Sequence, residues 1–155
     1  GFLRNGFLHR TIREQGGAYG GGAGQDPNSA SFRFFSYRDP RLQETLDDFD
    51  RAISWMVDEQ HPAHQLEEAI LGVIATMDKP SSPAGEAKQS FYNQFFGRTL
   101  EHRMAFRKRV LATTLDDLKS VAEQYFDAGQ ASIGIISNRE TVKTLQNQAI
   151  EIINL

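Results

Sequence analysis

Two adjoining stretches decide the fold of this chain: GGAYGGGAG at residues 16–24 and SFRFFSY at residues 31–37. The first holds six of the thirteen glycines, and the second is rich in aromatic residues that partly alternate with polar ones. Alternation of this kind is typical of a strand, and the residues between the two stretches are typical of a turn. We therefore predict an antiparallel hairpin with strands over residues 18–24 and 31–37. Glycine normally weakens a strand, so this many indicate a backbone that another element approaches closely.

Helical periodicity flanks the hairpin on both sides. Residues 2–14 place apolar side chains at helical spacing, which predicts an amphipathic helix that stops where the glycines begin. Apolar residues recur every three or four positions over residues 40–59 and again over residues 62–77, which predicts two more helices. Asp39 and Pro40 are typical of the start of the first of these two. Residues 81–83 open a further predicted helix, and another is expected from about Thr99 to Ala112. Thr114 with Asp117 is a capping-box variant that starts the next one, and Asn138 caps the last.

A last apolar run, ASIGIIS at residues 131–137, predicts a third strand, and a final helix is expected to run from Asn138 to Leu145. The sum of these elements is an α+β fold with a small antiparallel sheet packed against several helices. The hairpin face that carries Phe32 and Phe34 can cover the apolar stripes of the helices. Residues 1–155 are expected to form a single domain, and because the chain starts at Gly1 inside a predicted helix, we expect it to be a piece of a longer protein.

Composition excludes several classes of function. The chain has no cysteine, which excludes a disulfide framework, a thiolate zinc site and a cysteine nucleophile. Its 17 basic and 20 acidic residues give a net charge of −3, which argues against affinity for nucleic acid or anionic membranes. No apolar run approaches the roughly 18–20 residues that a membrane span needs.

Common site motifs are not matched. The glycine stretch contains neither GxGxxG nor GxxxxGK[ST] and lies between a helix and a strand, which argues against nucleotide binding. HQLEE at residues 64–68 has the first His and the Glu of an HxxEH zinc motif, but Glu68 stands where the second His is needed. A catalytic zinc needs three protein ligands, so we predict no metal site in this chain. No GxSxG nucleophile elbow is present.

The basic stretch at residues 98–109 has two interpretations. We favour a solvated helix face that pairs with the acidic side chains of residues 47–59. The alternative is a basic groove for a polyanion, which the overall negative charge of the chain makes less attractive.

Arg13 and Tyr19 are the candidate catalytic residues. They flank the end of the first predicted helix and the start of the glycine-rich strand, so both side chains could reach one point beside an open backbone edge. A guanidinium and a phenol are hydrogen-bond donors suited to a carbonyl oxygen that gains negative charge. A surface arginine and a packed tyrosine are the common alternative, which these two residues alone leave open.

A family resemblance supports the catalytic interpretation. The run LHRTIREQGGAYGGGAG at residues 8–24, followed by FRFFSYRDPRLQETLDDFD at residues 32–50, resembles the C-terminal half of the pitrilysin-type zinc metallopeptidases, in particular the presequence protease branch. The elements RExGGAYG and SYRDP carry the match, and the later helices are similar in order and length. The resemblance implies one domain of the pitrilysin-type, LuxS/processing-peptidase-like fold, the last domain of a longer chain and without its opening strands.

The resemblance also implies an enzyme of two similar halves that close around an unfolded peptide. Zinc sits in the first half, on an HxxEH helix and a further Glu, and this chain resembles the half without metal. In the family, an Arg and a Tyr of that half bind the substrate backbone and help stabilise the oxyanion, and they fall on Arg13 and Tyr19 here. The glycine-rich strand beside them, with Gly17 and Gly20, is expected to bind substrate along the chamber.

The expected function is therefore that of the C-terminal substrate-binding domain of a zinc-dependent metalloendopeptidase that degrades short unfolded peptides and is inactive as this segment alone. Its partners would be the N-terminal half of the same polypeptide and peptide substrates, with neither nucleic acid nor a membrane. A non-proteolytic scaffold subunit of the same fold and an independent peptide-binding module are the alternatives. The compartment is not fixed, although the cytoplasm or an organelle matrix is favoured.

Overall fold

The computed structural model describes residues 1–26, 29–143, 145, 151 and 153. Two units divide the chain: a helical unit of Gly1–Phe2 and Gln60–Ser120, and a hairpin unit of Leu3–Glu59 and Val121–Leu155. The elements, in chain order, are a π-helix (Arg4–Gln15), β1 (Gly20–Asp26), β2 (Ser31–Tyr37), α1 (Gln43–Asp58), α2 (Ala63–Asp78), α3 (Pro83–Phe95), α4 (Leu100–Leu111), α5 (Leu115–Tyr125), a 3₁₀ turn (Ala128–Gln130) and α6 (Arg139–Val142). The predicted α+β class with a small antiparallel sheet is confirmed.

The predicted hairpin is present in the hairpin unit. β1 and β2 pair antiparallel, with Gly20 opposite Tyr37 and Asp26 opposite Ser31. β1 begins two residues later than predicted: the Ala18 amide donates to the carbonyl of Ile12 in the π-helix, and the Tyr19 amide donates to the carbonyl of Arg38, just after the end of β2. The predicted turn falls partly on residues 27 and 28, which lie outside the described residues.

The glycines of β1 admit the π-helix onto the strand. Ile12 and Leu8 of this helix are fully buried. A Cβ at Gly21 would lie 2.6 Å from the Cγ2 atom of Ile12, a separation that side chains do not tolerate. The predicted close approach to the glycine-rich strand is confirmed, and the first helix is the element that makes it.

Aromatic packing holds the same face of the hairpin, since Phe34 pairs with Ala23, two residues after Gly21 in β1. The ring of Phe34 stacks on that of Phe49 in α1 with centroids 5.4 Å apart, and Phe32 meets Phe126 at 4.6 Å. Ala52 and Met56 of α1 are buried as well. The predicted contact of this face with the helix over residues 40–59 is confirmed through Phe34, whereas its contact with the helix over residues 62–77 stays a prediction.

The third predicted strand is absent from the residues that the structure describes. Residues 131–137 have no strand pairing, and Ile136 is 95% exposed. An apolar run forms a strand only when a partner backbone lies beside it, and within the described residues the sheet consists of β1 and β2. The last helix is also shorter than predicted and ends at Val142, although Asn138 caps it as expected by accepting from the Thr141 amide.

The basic stretch in the helical unit is largely exposed along α4. The Nη1 atom of Arg107 lies 2.6 Å from a carboxylate oxygen of Asp78, at the end of α2. The partner helix is therefore α2, and the expected pairing with residues 47–59 is wrong for Arg107. Arg109 lies over the ring of Phe106 at 5.9 Å. None of the described helices is both long and apolar enough to cross a membrane.

Candidate functional site

The candidate site lies at the turn between the π-helix and β1. The amides of Gly17 and Ala18 donate to the carbonyls of Arg13 (3.1 Å) and Ile12 (3.2 Å), which closes the end of the helix. Gly17 has a φ of +79°, in the left-handed region that favours glycine and that commonly ends helices. The turn therefore sets Arg13 on one side and Tyr19 on the other.

Tyr19 projects from the start of the hairpin. Its side chain is 68% exposed, and its amide donates to the carbonyl of Arg38 at 3.2 Å. Its ring meets the ring of Tyr37 edge-on at 6.1 Å, and the Arg38 guanidinium lies 5.7 Å from the ring centre. Because these contacts involve the ring and most of the side chain is exposed, the Tyr19 hydroxyl can donate a hydrogen bond to a ligand.

Arg13 is exposed in the last turn of the π-helix. Within the described residues, the cation stacked on the Tyr19 ring is Arg38 and not Arg13. The structure thus brings both predicted residues to one turn and leaves both exposed. That their side chains act on one substrate atom stays a prediction.

Gly20 opens the strand beside Tyr19. It pairs with Tyr37, and a Cβ built at Gly20 would have no heavy atom of the described residues within 4 Å. Phe35 lies two residues before Tyr37 in β2, on the same face of the hairpin and opposite Gly22. Its ring is exposed like that of Tyr37. Gly22 on the same side is buried, and a Cβ there would lie 3.3 Å from the Cγ atom of Arg4, so the open backbone beside the exposed ring of Tyr37 is that of Gly20.

Asp39 fixes the chain that leaves β2. Its carboxylate accepts hydrogen bonds from the Ser36 hydroxyl (2.6 Å), the Thr45 hydroxyl (2.7 Å) and the Arg41 amide (3.0 Å). The prediction that Asp39 and Pro40 start the helix is wrong, because α1 begins at Gln43 and these bonds use the Asp39 carboxylate to hold a turn before it.

A buried ion-pair network joins helix α1 to the end of the π-helix. Asp48 of α1 has no exposed surface and pairs with Arg51 and with Arg41, whose Nη2 atom lies 3.1 Å away. Among the described residues the Oδ2 atom of Asp48 accepts no aligned hydrogen bond, so its contact with Arg41 is an ion pair. The Nη2 atom of Arg41 also donates to the Thr11 carbonyl at 3.4 Å. A side chain at Gly16 would collide with the Arg41 guanidinium, so the end of the π-helix is shaped around this cation.

Sequence reasoning missed this network and the ring contacts of Arg38. Asp48 stands in a run of acidic residues that looks solvated, yet it shares helical spacing with Thr45, Ala52 and Met56, all of which are buried. That spacing is the signal that could have identified Asp48 as an inward-facing charge. Arg38 gives no such signal, because its contacts depend on the hairpin register.

The histidines do not assemble a metal site among the residues that the structure describes. His64 and Glu68 are exposed on α2, and no group of three or more His, Cys, Asp or Glu side chains forms there. His61 instead meets the ring of Phe2 edge-on at 5.2 Å.

Comparisons with known proteins agree on one family. The sequence profile described as "PreP C-terminal domain" matches residues 1–138. The chain is 41% identical over 123 residues to the mitochondrial presequence protease of Yarrowia lipolytica, which covers 79% of this chain and 12% of that protein. It is 37% identical over 129 residues to the mouse protein of the same name, covering 83% of this chain and 12% of the relative. The yeast Saccharomyces cerevisiae counterpart is 35% identical over 145 residues, covering 93% of this chain and 13% of the relative. The chain spans about one eighth of the length of these relatives, and it belongs to the family of the PreP C-terminal domain.

Proposed function

We propose that this chain is the C-terminal, substrate-binding part of a metalloendopeptidase of the presequence protease type, which degrades short unfolded peptides. The observation that carries the proposal is the family match over residues 1–138. The relatives named above are presequence proteases, of which this chain spans 12–13%, so the activity would belong to the longer polypeptide and the segment alone would be inactive. Their names also favour a mitochondrial location for it.

The open backbone at Gly20 supports a role in holding an extended peptide. An unfolded peptide presents unpaired N–H and C=O groups together with side chains on alternate sides. Gly20 leaves room for a second backbone, and Gly17 lies at the adjoining turn. The exposed rings of Phe35 and Tyr37 offer apolar contact for substrate side chains.

Arg13 and Tyr19 would act on the scissile peptide. The guanidinium of Arg13 can donate to substrate carbonyls in the ground state, and the phenol of Tyr19 can donate to the oxygen that gains charge during hydrolysis. Donors of this kind lower the barrier when they meet the charge that develops in the transition state. Their exposure in this chain supports the proposal, because a substrate must be able to reach them.

The resemblance also implies a zinc ion in the full-length enzyme. The described residues of this chain do not fit that ion, since no group of three His, Cys, Asp or Glu forms among them. In this proposal the N-terminal half of the same polypeptide binds the metal, and this chain completes the chamber around the peptide and supplies the two donors.

The test uses the full-length protein and an unstructured peptide. Wild type should cleave the peptide, and Arg13→Ala should raise KM by about tenfold or more, since hydrogen bonds to charged groups contribute roughly 1.5–3 kcal/mol and 1.4 kcal/mol is a factor of ten. Arg10→Ala removes another exposed arginine of the same helix and is the matched control, with KM expected within about twofold of wild type. Absence of cleavage by well-folded wild type would favour a non-proteolytic scaffold instead.

A further inference from the structure

Arg38, the residue directly after β2, contacts Tyr19 through both its backbone and its side chain. Its carbonyl accepts the Tyr19 amide at 3.2 Å. Its guanidinium carbon lies 5.7 Å from the centre of the Tyr19 ring and 5.4 Å from that of Tyr37. The two rings also meet each other edge-on, so the three side chains form one cluster, which we call the Tyr-Arg cluster.

The backbone of Arg38 is held in an unusual conformation. Its φ is +48°, in the left-handed region, which is unfavourable for a residue that carries a Cβ. The neighbouring Asp39 fixes this conformation, because its carboxylate accepts from the Ser36 hydroxyl and from the Arg41 amide. Non-glycine residues in such conformations concentrate at functional sites, where the surrounding structure imposes them.

The guanidinium of Arg38 contacts the rings of Tyr19 and Tyr37. Within the described part of the chain it forms no ion pair with a carboxylate, and its charge lies over the two tyrosines, where the electron-rich ring faces attract it. Tyr19 is 68% exposed, so the cluster is the main described support for its ring. A donor to a developing oxyanion must be held to within about 0.5 Å of its productive place.

We propose that Arg38 is a positioning residue, which holds the phenol of Tyr19 where it can donate to the oxygen that gains charge during peptide hydrolysis. This inference rests on the function proposed for Tyr19. In this role the Arg38 side chain need not touch the substrate. Its left-handed backbone conformation would serve to place the guanidinium over the two rings.

The test measures kcat and KM of the full-length protein on one unstructured peptide. Arg38→Asn removes the cation with a residue that tolerates the left-handed region, and Arg38→Lys keeps a cation at the same place. We expect Arg38→Asn to lower kcat roughly tenfold with little change in KM, below the ~10²-fold that a 1 Å misplacement can cost, and Arg38→Lys to recover most of the loss. Arg109→Asn removes a different exposed arginine that stacks on a ring, that of Phe106, and should leave kcat within about twofold.

The decisive arm repeats Arg38→Asn in a Tyr19→Phe background. If Arg38 acts through the Tyr19 hydroxyl, the second substitution should change kcat by less than about twofold there, since coupled residues are not additive. An equal loss in both backgrounds would overturn the proposal, because Arg38 would then act on the substrate itself. A full loss with Tyr19→Phe but none with Arg38→Asn would overturn the positioning role alone. Unchanged activity of Tyr19→Phe would overturn the proposed function of Tyr19 and this inference with it.

Discussion

Two arginines three residues apart in one loop have opposite surroundings. Arg38 is exposed, adopts a left-handed backbone and lies over the rings of Tyr19 and Tyr37. Arg41 lies 3.1 Å from the fully buried carboxylate of Asp48 and reaches the carbonyl of Thr11 in the π-helix. The loop thus has one exposed cation beside the candidate site and another that pairs with a buried carboxylate.

The difference shows how a buried ion pair can hold an exposed loop in place. Functional side chains commonly lie on loops whose positions a rigid scaffold determines. Here the scaffold consists of the buried Asp48 network and the close contact of Ile12 with Gly21. Both lie next to the turn that carries Tyr19. Substitutions at the surface should therefore change catalysis, whereas substitutions in the support should change stability first.

The largest expected effect is on catalysis and comes from a substitution at Tyr19. Tyr19→Phe in the full-length protein should lower kcat by about 10²–10³, the range for loss of one oxyanion donor, with KM nearly unchanged. The melting temperature should stay that of wild type, because the Tyr19 hydroxyl belongs to a side chain that is mostly exposed. Peptide cleavage kinetics and calorimetry on the same sample are the measurements. Activity within about threefold of wild type would return Tyr19 to the role of a surface aromatic.

Asp48→Asn should remove the buried ion pairs and lower the stability of the fold. Removing one partner of a buried ion pair costs about 3–5 kcal/mol, and the partial exposure of Arg51 and Arg41 lowers the expected loss of stability to about 2–4 kcal/mol. Calorimetry should show a clearly lowered melting temperature. Asp50→Asn is the matched control in the same helix: burial and the nearby Asp47 charge raise the pKa of Asp50, so its charge is unfavourable and its loss should be harmless. Equal destabilisation by both variants would contradict the role given to Asp48.

Gly21→Ala should disturb the contact between the π-helix and β1. The added Cβ would meet Ile12, and overpacking of this kind costs about 1–3 kcal/mol. Gly20→Ala adds the same methyl group to the neighbouring residue, where no heavy atom lies within 4 Å, and should cost much less. Thermal melts of the two variants are the measurement, and similar melting temperatures would show that the contact is not tight.

The smallest effect concerns the start of α5 and depends on pH. The Thr114 amide and hydroxyl donate to the Asp117 carboxylate and lower its pKa below the ordinary 3.8. The ionised carboxylate therefore stabilises the fold above its unfolded pKa, and this contribution is lost as the pH falls through the lowered folded pKa. Melting temperatures of wild type and Asp117→Asn, followed from pH 7 to acid, should converge at low pH. A constant gap between them would exclude this cap as a source of pH dependence.

The sequence predicts the parts of this fold that depend on periodicity and local chemistry. The hairpin, the amphipathic helices and the caps at Thr114 and Asn138 follow from patterns within a few residues. The strand at residues 131–137 failed because pairing depends on a distant backbone edge, which an apolar run does not reveal.

At the candidate site, the sequence indicates Arg13 and Tyr19 but not what surrounds them. Their exposure at one turn follows from the glycines after the helix, which the sequence displays. The cation on the Tyr19 ring comes from Arg38 through the hairpin register, and the buried Asp48 is hidden among acidic neighbours. One missed contact therefore joins residues far apart in the chain, Tyr19 and Arg38, and the other depends on which face of a helix is buried.

The most direct measurement is where a bound peptide touches this chain. Tyr37, 55% exposed, is replaced by photoreactive p-benzoylphenylalanine in the full-length protein, and Tyr125, 67% exposed on α5, is replaced in the same way as a matched control. After irradiation with a labelled unstructured peptide, mass spectrometry counts the adducts at each position. Labelling at position 37 well above that at position 125, and suppressed by excess unlabelled peptide, is the expected result. Equal labelling at the two positions, or labelling that excess peptide does not suppress, would contradict the placement of the substrate on the hairpin.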